Sequence, residues 1–304
     1  MDIKREDFEV IGINVKSAEA IVRPSMSFAQ DAWRRFKKNK VALVSAILLL
    51  IIILLSIFVP IFNPHQFDKM TIAIKNKFYL PGYWFGTDIM GRDLWLRVWL
   101  GGRVSLTIGI VGAICIIVIG TLYGGISGYL GGNVDLVMMR IAEVISSIPY
   151  MIIVIMFSLI LKRGIAAIII AVVIDGWIDT ARLIRGQVLQ LKEQEFVLAA
   201  RALGASPMRI ILKHLVPNVI GYLIVNLTLQ IPSLIFAEAF LSFVGIGIMP
   251  PNPSWGNLLS AAQPQLQFYP YQLFYPGLAL ALTMLSFNLM GDGLRDAVDP
   301  RLRQ

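Results

Sequence analysis

Three carboxylates lie in stretches of the sequence that are otherwise apolar. Asp175 and Asp179 stand one helical turn apart and so share a helix face, and Glu238 lies near the end of a later apolar run. A carboxylate within a bilayer is costly and commonly marks a substrate or ion pathway. These residues are therefore candidate pathway groups that would contact a cationic substrate group such as an ammonium. The alternative interpretation is structural, with Asp179 paired to Arg182 and Asp175 bonded to Trp177 or to a neighbouring helix.

Chemistry that would make the chain an enzyme is missing from the sequence. It contains no G-x-x-x-x-G-K-[ST] motif, so it lacks the loop that cradles nucleotide phosphates. Cys115 is the single cysteine and lies inside an apolar run, and the two histidines, His65 and His214, are far apart. No zinc-ligand set and no nucleophile–base pair can be assembled from these residues. We therefore expect no catalytic group, no metal site and no cofactor in this chain.

Composition indicates a membrane protein. Of the 304 residues, 57% are hydrophobic, and the mean hydropathy is +0.71. The net charge of +8 comes from basic residues in short runs between apolar stretches, which is typical of membrane orientation and not of a nucleic-acid-binding face. The first apolar run follows 40 mostly polar residues and is too long and too late for a cleavable signal peptide, so we expect it to remain as a span.

Six segments are long and apolar enough to cross a bilayer core, which takes about 20 helical residues. They are approximately Val41–Phe62, Val104–Ser127, Leu136–Leu161, Gly164–Leu183, Val219–Phe240 and Phe274–Leu289. We expect helices, because a helix satisfies its own backbone hydrogen bonds in hydrocarbon. With the N-terminus inside, 19 of the 27 Lys and Arg residues fall on the cytoplasmic side. Excess positive charge belongs inside, so both termini are predicted to be cytoplasmic.

The segment before the first span has the pattern of an amphipathic helix. Ser27 and Gln30 fit a capping box. One helix face then carries Phe28, Ala32, Trp33 and Phe36. Most of the remaining surface is basic, with Arg34, Arg35, Lys37, Lys38 and Lys40. A helix on the inner membrane surface and a plain positively charged flank both remain open as interpretations.

Charged and aromatic residues precede the second span. The charged ones are Asp88, Arg92, Asp93, Arg97 and Arg103. Trp95 and Trp99 share a helix face, as expected for an interfacial helix on the outer surface, which Thr87 or Asp88 would cap. Asp88 and Asp93 alone make a poor metal site. Docking of an external protein is the favoured interpretation of this segment.

Two further predictions concern the uncharged outer segment and the C-terminal tail. The uncharged segment from Gly245 to Tyr271 is rich in Pro, aromatic residues and Gln, and it follows Glu238 at the outer end of span five. We expect it to fold against the outer membrane face or a partner subunit and to cover part of the outer mouth of the pathway. In the tail, Gly291 and Gly293 are predicted to end the last helix. Inside anchors are Arg295, Arg301 and Arg303.

The loop between spans four and five is predicted to form two short helices that meet at a corner. Residues Glu195–Leu203 are rich in Ala, Leu and Arg, which favour helix. Gly204 ends that helix, and Ser206 with Pro207 begins the next one, which is expected to break at Pro217. Such an elbow can be held by a partner and can transmit rigid-body motion to the spans on both sides. The alternative is an interfacial loop without a partner.

The elbow resembles the EAA loop of binding-protein-dependent ABC importer permeases. In that pattern E-A-A is followed by a glycine four residues after the second alanine and by a hydrophobic-x-Leu-Pro ending. Ala199, Ala200, Gly204 and Pro217 stand at the matching spacing. The positions that depart from the pattern are Leu198 in place of Glu (with Glu195 three residues earlier), His214 in place of an apolar residue, and Val216 in place of Leu.

Three further segments are similar to the second permease subunit of oligopeptide and dipeptide importers, the OppC/DppC type. They are residues 85–106 (FGTDIMGRDLWLR followed by GGRVSL), 238–256 (EAFLSFVGIGIMPPNPSWG) and 288–303 (NLMGDGLRDAVDPRLR). The resemblance covers nearly the whole chain after residue 30. It implies an all-α, six-helix permease with the type I ABC importer fold in a bacterial cell membrane.

The resemblance also implies partners and a coupling site. The partners would be a second homologous permease, two ATPase subunits that bind ATP and Mg²⁺, and an extracellular peptide-binding protein, with lipid around the spans and no nucleic acid. The implied ATPase-coupling loop contains Glu195, Ala199, Ala200, Arg201, Gly204, Ser206, Pro207, His214 and Pro217. Nickel or metal-chelate import by a closely similar permease and a secondary transporter remain as alternatives.

The expected organisation follows from the spans and the resemblance together. The predicted parts are a cytoplasmic N-terminal segment (1–40), a first transmembrane helix (41–62), an extracellular loop (63–100), a five-helix permease core (101–292) that includes the coupling loop (190–218), and a cytoplasmic tail (293–304).

Overall fold

A computed structural model describes residues 28–161 and 164–298. In that part of the chain every named secondary-structure element is a helix. In chain order they are α1 (Phe28–Lys38), α2 (Lys40–Phe62), α3 (Leu94–Leu130), α4 (Gly132–Ser146), α5 (Tyr150–Ile160), α6 (Ile165–Leu191), α7 (Glu195–Ala202), α8 (Pro207–Ile210), α9 (Val216–Phe243), α10 (Trp255–Ala262) and α11 (Tyr271–Val298). Short 3₁₀ turns lie at Ile72–Ile74 and Gln263–Gln265, and a π-helical segment, Ile211–Leu215, joins α8 to α9.

Within the described residues, four helices are long and apolar enough to cross a membrane. They are α2, α3, the continuous helix Pro207–Phe243 and α11. The bent pair α4 and α5 qualifies as a fifth crossing if it is taken as one span. Helix α6 has 27 residues, which is enough length, but it carries Asp175, Asp179 and Arg182 among its apolar residues.

The third predicted span is not the straight helix expected over Leu136–Leu161. The chain bends by 78° between Gly132–Ser146 and Tyr150–Phe157. Pro149 stands at the break as the N-cap of α5. Proline has no N–H to continue the α4 ladder and disfavours helical backbone in the preceding residue, so two helices form in place of one.

The centre of the fold is the contact between α3 and α6, which approach closely because α3 presents glycines to α6. A side chain at Gly124 would collide with the backbone carbonyl of Ala181. A side chain at Gly120 would collide with the Thr180 side chain, and one at Gly128 would collide with the backbone carbonyl of Arg185. Small residues at a helix crossing let two backbones approach within a membrane. The two helices therefore form a single packed unit.

Helix α2 is tied to α3 by an arginine. Pro60 lies inside α2 and has no N–H, so it leaves the Ser56 carbonyl without its helical donor. The Arg103 Nε donates to the Ser56 carbonyl at 3.2 Å, and another guanidinium nitrogen donates to the carbonyl of Ile57 at 2.8 Å. Arg103 thus supplies the hydrogen bond that Pro60 removes.

The two glycines predicted to end the last helix do not end it. Helix α11 continues through both, and each is buried at a helix crossing. Gly293 lies against Ala42 of α2, and Gly291 lies against Leu229 of α9. The prediction was wrong because a glycine needed for close packing has the same local sequence as a glycine at a helix end.

Helix α1 packs on the end of α11. Phe36 is buried against Ala42 and Ala297, and Trp33 stacks on Phe36 with a ring-centroid distance of 5.8 Å while half its surface stays exposed. Lys37 lies over the Trp33 ring at 5.0 Å. The segment is helical over Phe28–Lys38, and Phe36 on its apolar face packs on protein. The Ser27 capping box and the anchors Arg301 and Arg303 lie outside the described residues.

Candidate functional site

The predicted corner between spans four and five is present and has a defined geometry. Helix α7 ends at Ala202, and Gly204 has φ +80°. The Gly204 N–H donates to the Arg201 carbonyl at 3.0 Å, and the Ala205 N–H donates to the Ala200 carbonyl at 3.1 Å. This pair of bonds is a Schellman motif, which places its glycine in the left-handed region. Gly204 is therefore required by the backbone of the elbow.

The second half of the elbow differs from the expectation at its far end. Pro207 begins α8, and Ser206 occupies the cap position without a capping hydrogen bond from its side chain. The expected break at Pro217 does not occur, because the chain widens into the π-helical segment before it. There the Val216 N–H donates to the Ile211 carbonyl, five residues back. Pro217 then sits in the first turn of α9, where a missing N–H is tolerated.

One face of the elbow is buried against the spans. Val197, Ile210 and Leu215 have no exposed surface, and they belong to one core cluster with Ile184 and Val188 of α6. The same cluster contains Val219 and Leu223 of α9, so packed aliphatic side chains hold the elbow to α6 and α9 at the same time. Movement of the elbow therefore moves both helices.

The exposed surface of the elbow carries several large apolar side chains. Leu203 is 88% exposed at the corner. The other exposed apolar side chains are Phe196, Leu198, Met208 and Leu212. A contiguous exposed apolar patch on a folded element marks a protein interaction site or a membrane contact. We call these five residues the elbow face.

The structure distributes the predicted coupling residues over both faces. Ala200 is buried and His214 is half-buried in the π-helical segment. The exposed ones are Glu195, Ala199, Arg201, Gly204, Ser206, Pro207 and Pro217. Arg201 lies over the ring of Tyr129, in the last turn of α3, at 5.6 Å. The elbow therefore also contacts the end of α3.

The three predicted pathway carboxylates have different surroundings. Asp179 is exposed and forms an ion pair with Arg182 at 3.3 Å, as the structural interpretation predicts. Asp175 is partly buried on α6, and within the described residues it accepts no hydrogen bond, so the bond to Trp177 is not observed. Asp175 is thus the member of the three that has accessible surface and, among the described residues, no ion pair or hydrogen bond to its carboxylate.

Glu238 lies in the interior and has no exposed surface. The Ser105 hydroxyl donates to its Oε2 at 2.6 Å and the Ser242 hydroxyl to its Oε1 at 2.7 Å. The backbone N–H of Trp255 donates to Ser105 at 3.4 Å, and that of Ile248 donates to Ser242 at 3.1 Å. The carboxyl group thus joins α3, α9 and the loop before α10, and it offers no surface to a pathway.

The uncharged outer segment therefore folds on this chain itself. Trp255 is fully buried at the start of α10, and its indole N–H donates to the Val98 carbonyl at 3.0 Å. Gly256 lies against the backbone of Ala239, and Gly101 lies against Ser254. We had not predicted this junction. The sequence signal for this junction is a single acidic residue, Glu238, in an apolar stretch that also contains serines. A local pattern cannot show that Glu238 pairs with Ser105, about 130 positions earlier in the chain.

Replacing Glu238 by alanine is expected to destabilise the outer end of the fold. The change leaves the buried Ser105 and Ser242 hydroxyls without their acceptor, at about 1–3 kcal/mol for each unsatisfied group. Glu238→Gln keeps an acceptor oxygen and nearly the same shape, so it is expected to be milder. Thermal unfolding of the purified protein in detergent measures both. Equal melting temperatures for Glu238→Ala and the unchanged chain would contradict the structural role.

Three charged residues around the start of α3 are buried: Asp88, Arg92 and Arg97. Asp88 accepts from the Arg92 Nε at 2.7 Å and lies 3.6 Å from the Arg97 Nε. Arg97 also donates to the carbonyls of Phe67 at 2.9 Å and Pro251 at 3.4 Å. The docking interpretation is wrong for these three charges, because they hold the loop to the helix ends and present almost no surface.

The predicted interfacial helix is the beginning of α3. Its cap is Asp93, not Thr87 or Asp88, and the Asp93 carboxylate accepts from the Trp95 N–H at 2.9 Å. The other carboxylate oxygen lies 2.8 Å from the His65 Nδ1. Across the described ranges, no group of three or more His, Cys, Asp or Glu side chains is placed to hold a metal ion.

These features define a class of protein. Within the described residues the chain is a bundle of apolar helices with an exposed elbow packed against two of them, an architecture that a membrane-embedded permease would have. A solved transporter chain has a similar fold. A chain of the MetNI methionine ABC transporter, solved in inward-facing conformations, aligns with a TM-score of 0.54 at 22% identity, covering 66% of this chain and 97% of that chain.

The chain belongs to the family described as binding-protein-dependent transport system inner membrane component, whose profile matches residues 116–304. Residues 27–81 match the N-terminal TM domain of oligopeptide transport permease C. The oligopeptide transport system permease protein OppC of Bacillus subtilis is 44% identical, over 100% of this chain and 99% of its own length. The dipeptide permease DppC of the same organism is 44% identical over 95% and 91%. The chain is thus a multi-pass bacterial membrane protein.

Proposed function

We propose that this chain is one of two transmembrane subunits of an ATP-driven importer of peptides. The observation that carries the proposal is the elbow: an exposed apolar face backed by buried contacts to α6 and α9. Peptides are the favoured substrate class because the relatives that match over nearly their full length are oligopeptide and dipeptide permeases.

The proposed topology has six crossings with both termini in the cytoplasm. Arg103 near the start of α3 contacts Ser56 near the end of α2, so these helices run in opposite directions. The end of α3 meets the elbow at Tyr129, and α1 packs on the end of α11 at Ala297. With six crossings, the elbow therefore lies at the same membrane face as α1 and the end of α11. That face carries most of the basic residues, as a cytoplasmic face does.

The proposed mechanism is mechanical. Two separate ATPase subunits bind ATP and Mg²⁺ and hold the elbow face, while this chain binds no nucleotide of its own. Closure of the ATPases displaces the elbow, and the packed cluster around Val197 and Ile210 carries that displacement into α6 and α9. A peptide delivered by an extracellular binding protein would pass between this chain and a second, homologous permease.

Reconstitution tests the proposal. This chain, the partner permease, the ATPases and the binding protein are placed in proteoliposomes, and uptake of a labelled peptide is measured with and without ATP. Uptake that needs ATP and both ATPases is the expected result. Uptake by this chain alone, driven by an ion gradient, would instead establish a secondary transporter.

The substrate class has its own test. Import of a nickel chelate is the second candidate, because its permeases are closely similar in sequence pattern. Unlabelled di- and oligopeptides are expected to compete with the labelled peptide, while nickel chelates are not. Competition by the chelate alone would assign the metal substrate.

Asp175 is the proposed pathway carboxylate. Asp175→Asn is expected to lower peptide uptake about tenfold, because a hydrogen bond to a charged group contributes about 1.5–3 kcal/mol. The amount of assembled complex should not change. Asp179→Asn is the matched control, since that side chain is exposed and paired with Arg182. Normal uptake by the Asp175→Asn variant would remove Asp175 from the pathway.

A further inference from the structure

Helix α4 is attached to the rest of the fold in an unusual way. It follows α3 after a turn at Gly131 and Gly132, whose φ angles are +65° and +54°. Only one of its side chains, Ala142, is buried. We call α4 a limb, because it follows a two-glycine turn and this chain covers it mainly at Ala142, which packs on Trp177 of α6, and at Met138, whose carbonyl accepts from the Tyr123 hydroxyl at 2.7 Å.

An ion pair holds the first turn of this limb. The Arg185 Nε donates to the Asp135 Oδ1 at 2.5 Å, and the Arg185 Nη2 donates to Oδ2 at 2.6 Å. The Ser127 hydroxyl, in the last turns of α3, also donates to Oδ1. The Asp135 side chain is 14% exposed, and a bidentate guanidinium–carboxylate pair of this kind fixes orientation as well as distance.

Arg185 stands where the elbow meets α6. Its neighbours Ile184 and Val188 pack in the cluster that buries the inner face of the elbow. Its carbonyl lies against Gly128 of α3, in the close α3–α6 contact. Displacement of the elbow therefore reaches Arg185 through packed side chains. It can pass from α6 to α4 through the pair with Asp135 and through the packing of Ala142 on Trp177 and Ala181.

We infer that Asp135 and Arg185 are a positioning pair that transmits the movement of the elbow to the bent span α4–α5. This inference rests on the proposed function as an importer subunit. The pair binds neither substrate nor nucleotide. It holds α4 in register with α6, so that ATP-driven displacement of the elbow becomes a movement of the bent span. Without the pair, α4 keeps its apolar contact at Ala142 but loses the polar contact that orients its first turn.

The test measures coupling in the reconstituted complex. Peptide uptake and ATP hydrolysis are recorded in the same proteoliposomes for Asp135→Asn, Arg185→Gln and the double variant. We expect ATP hydrolysis within twofold of the unchanged complex and a tenfold or greater fall in peptide imported per ATP. The double variant should be no worse than either single variant, because both changes remove one interaction.

A matched control lies on the same limb. Arg140 and Glu143 form an exposed ion pair on α4 at 2.7 Å, and Arg140→Gln is expected to leave the coupling ratio unchanged. If Asp135→Asn fails to fold, Arg185→Lys carries the test, because lysine keeps the charge but not the two-pronged geometry. Arg185→Lys should lower the coupling ratio by a smaller factor.

A distance measurement separates transmission from a merely structural role. Spin labels at Val144→Cys on α4 and Val118→Cys on α3, both exposed, in a Cys115→Ser chain report the position of the limb. The label distance should change on ATP binding in the unchanged complex and not in Asp135→Asn. If coupling and label distance respond normally in both single variants, the pairing role is wrong. If the unchanged chain itself shows no ATP-dependent uptake, the proposed function is wrong.

Discussion

Gly204→Pro is expected to abolish ATP-driven uptake and to release the ATPase subunits from this chain. Gly204 has φ +80°, and proline is fixed near −65°. The substitution also removes the N–H that donates to the Arg201 carbonyl at 3.0 Å. The corner cannot form, so the two halves of the elbow face can no longer present a single surface. Co-purification of tagged permease with both ATPases, together with peptide uptake, measures the loss.

Two substitutions at the same position serve as controls. Asparagine tolerates the left-handed region, so Gly204→Asn is expected to keep most of the coupling. Alanine there costs about 1–2 kcal/mol of backbone strain, and Gly204→Ala should give an intermediate result. Apart from its chain neighbours, no described atom of this chain lies within 4 Å of the position that a Cβ would take, so crowding within this chain does not contribute to the series. A proline variant that still holds both ATPases and imports peptide would contradict the role of the corner.

Gly124→Val is expected to prevent formation of the stable fold. The new side chain would meet the carbonyl of Ala181 far inside van der Waals contact, and a backbone atom cannot move aside as a flexible side chain can. Overpacking costs about 1–3 kcal/mol where neighbours can adjust, and we expect at least the upper end here. The measurement is the yield of monodisperse protein in detergent and its melting temperature.

Gly186→Val is the control for this second experiment. Gly186 lies on α6, one helix turn and a half beyond Ala181, and a Cβ there would meet nothing within 4 Å. The same change in residue type should therefore lower the melting temperature only slightly. If Gly124→Val and Gly186→Val behaved alike, the closeness of α3 and α6 would not be what holds the centre of the fold.

Local features of the chain were predictable from the sequence. Apolar length identified the positions of the long helices, since a span must bury about 20 residues in hydrocarbon whatever its neighbours are. The corner at Gly204 was predictable because a glycine followed by Ser-Pro ends one helix and begins the next within a few residues. Both depend on residues that are adjacent in the chain.

Features that depend on distant partners were not predictable in the same way. The charges at Asp88, Arg92 and Arg97 suggested an exposed docking surface, but in the structure both arginines lie beside Asp88 in the interior, and Arg97 also donates to backbone carbonyls. Glu238 suggested a pathway group until Ser105, more than a hundred residues away, was found to donate to it. A charge in a sequence shows that a polar environment exists and does not show whether water or protein supplies it.

Prolines also show the difference between what the local sequence specifies and what the surrounding structure decides. Pro149 stands at the N-cap of α5, where the third span bends by 78°. Pro217 lies within a continuing helix, because the π-helical segment before it shifts the hydrogen-bond ladder by one residue. The two prolines are alike as residues. The difference lies in the backbone around them, which proline position alone does not specify.

The tie between Arg103 and the Ser56 carbonyl bears on how the protein enters the bilayer. Helix α2 contains a proline and so cannot complete its own backbone hydrogen bonds, and in hydrocarbon such a gap is costly. The donor that the Ser56 carbonyl lacks is supplied by Arg103, which belongs to α3. We therefore expect the two helices to leave the insertion machinery as a hairpin, with the second helix completing the first before either is released into lipid.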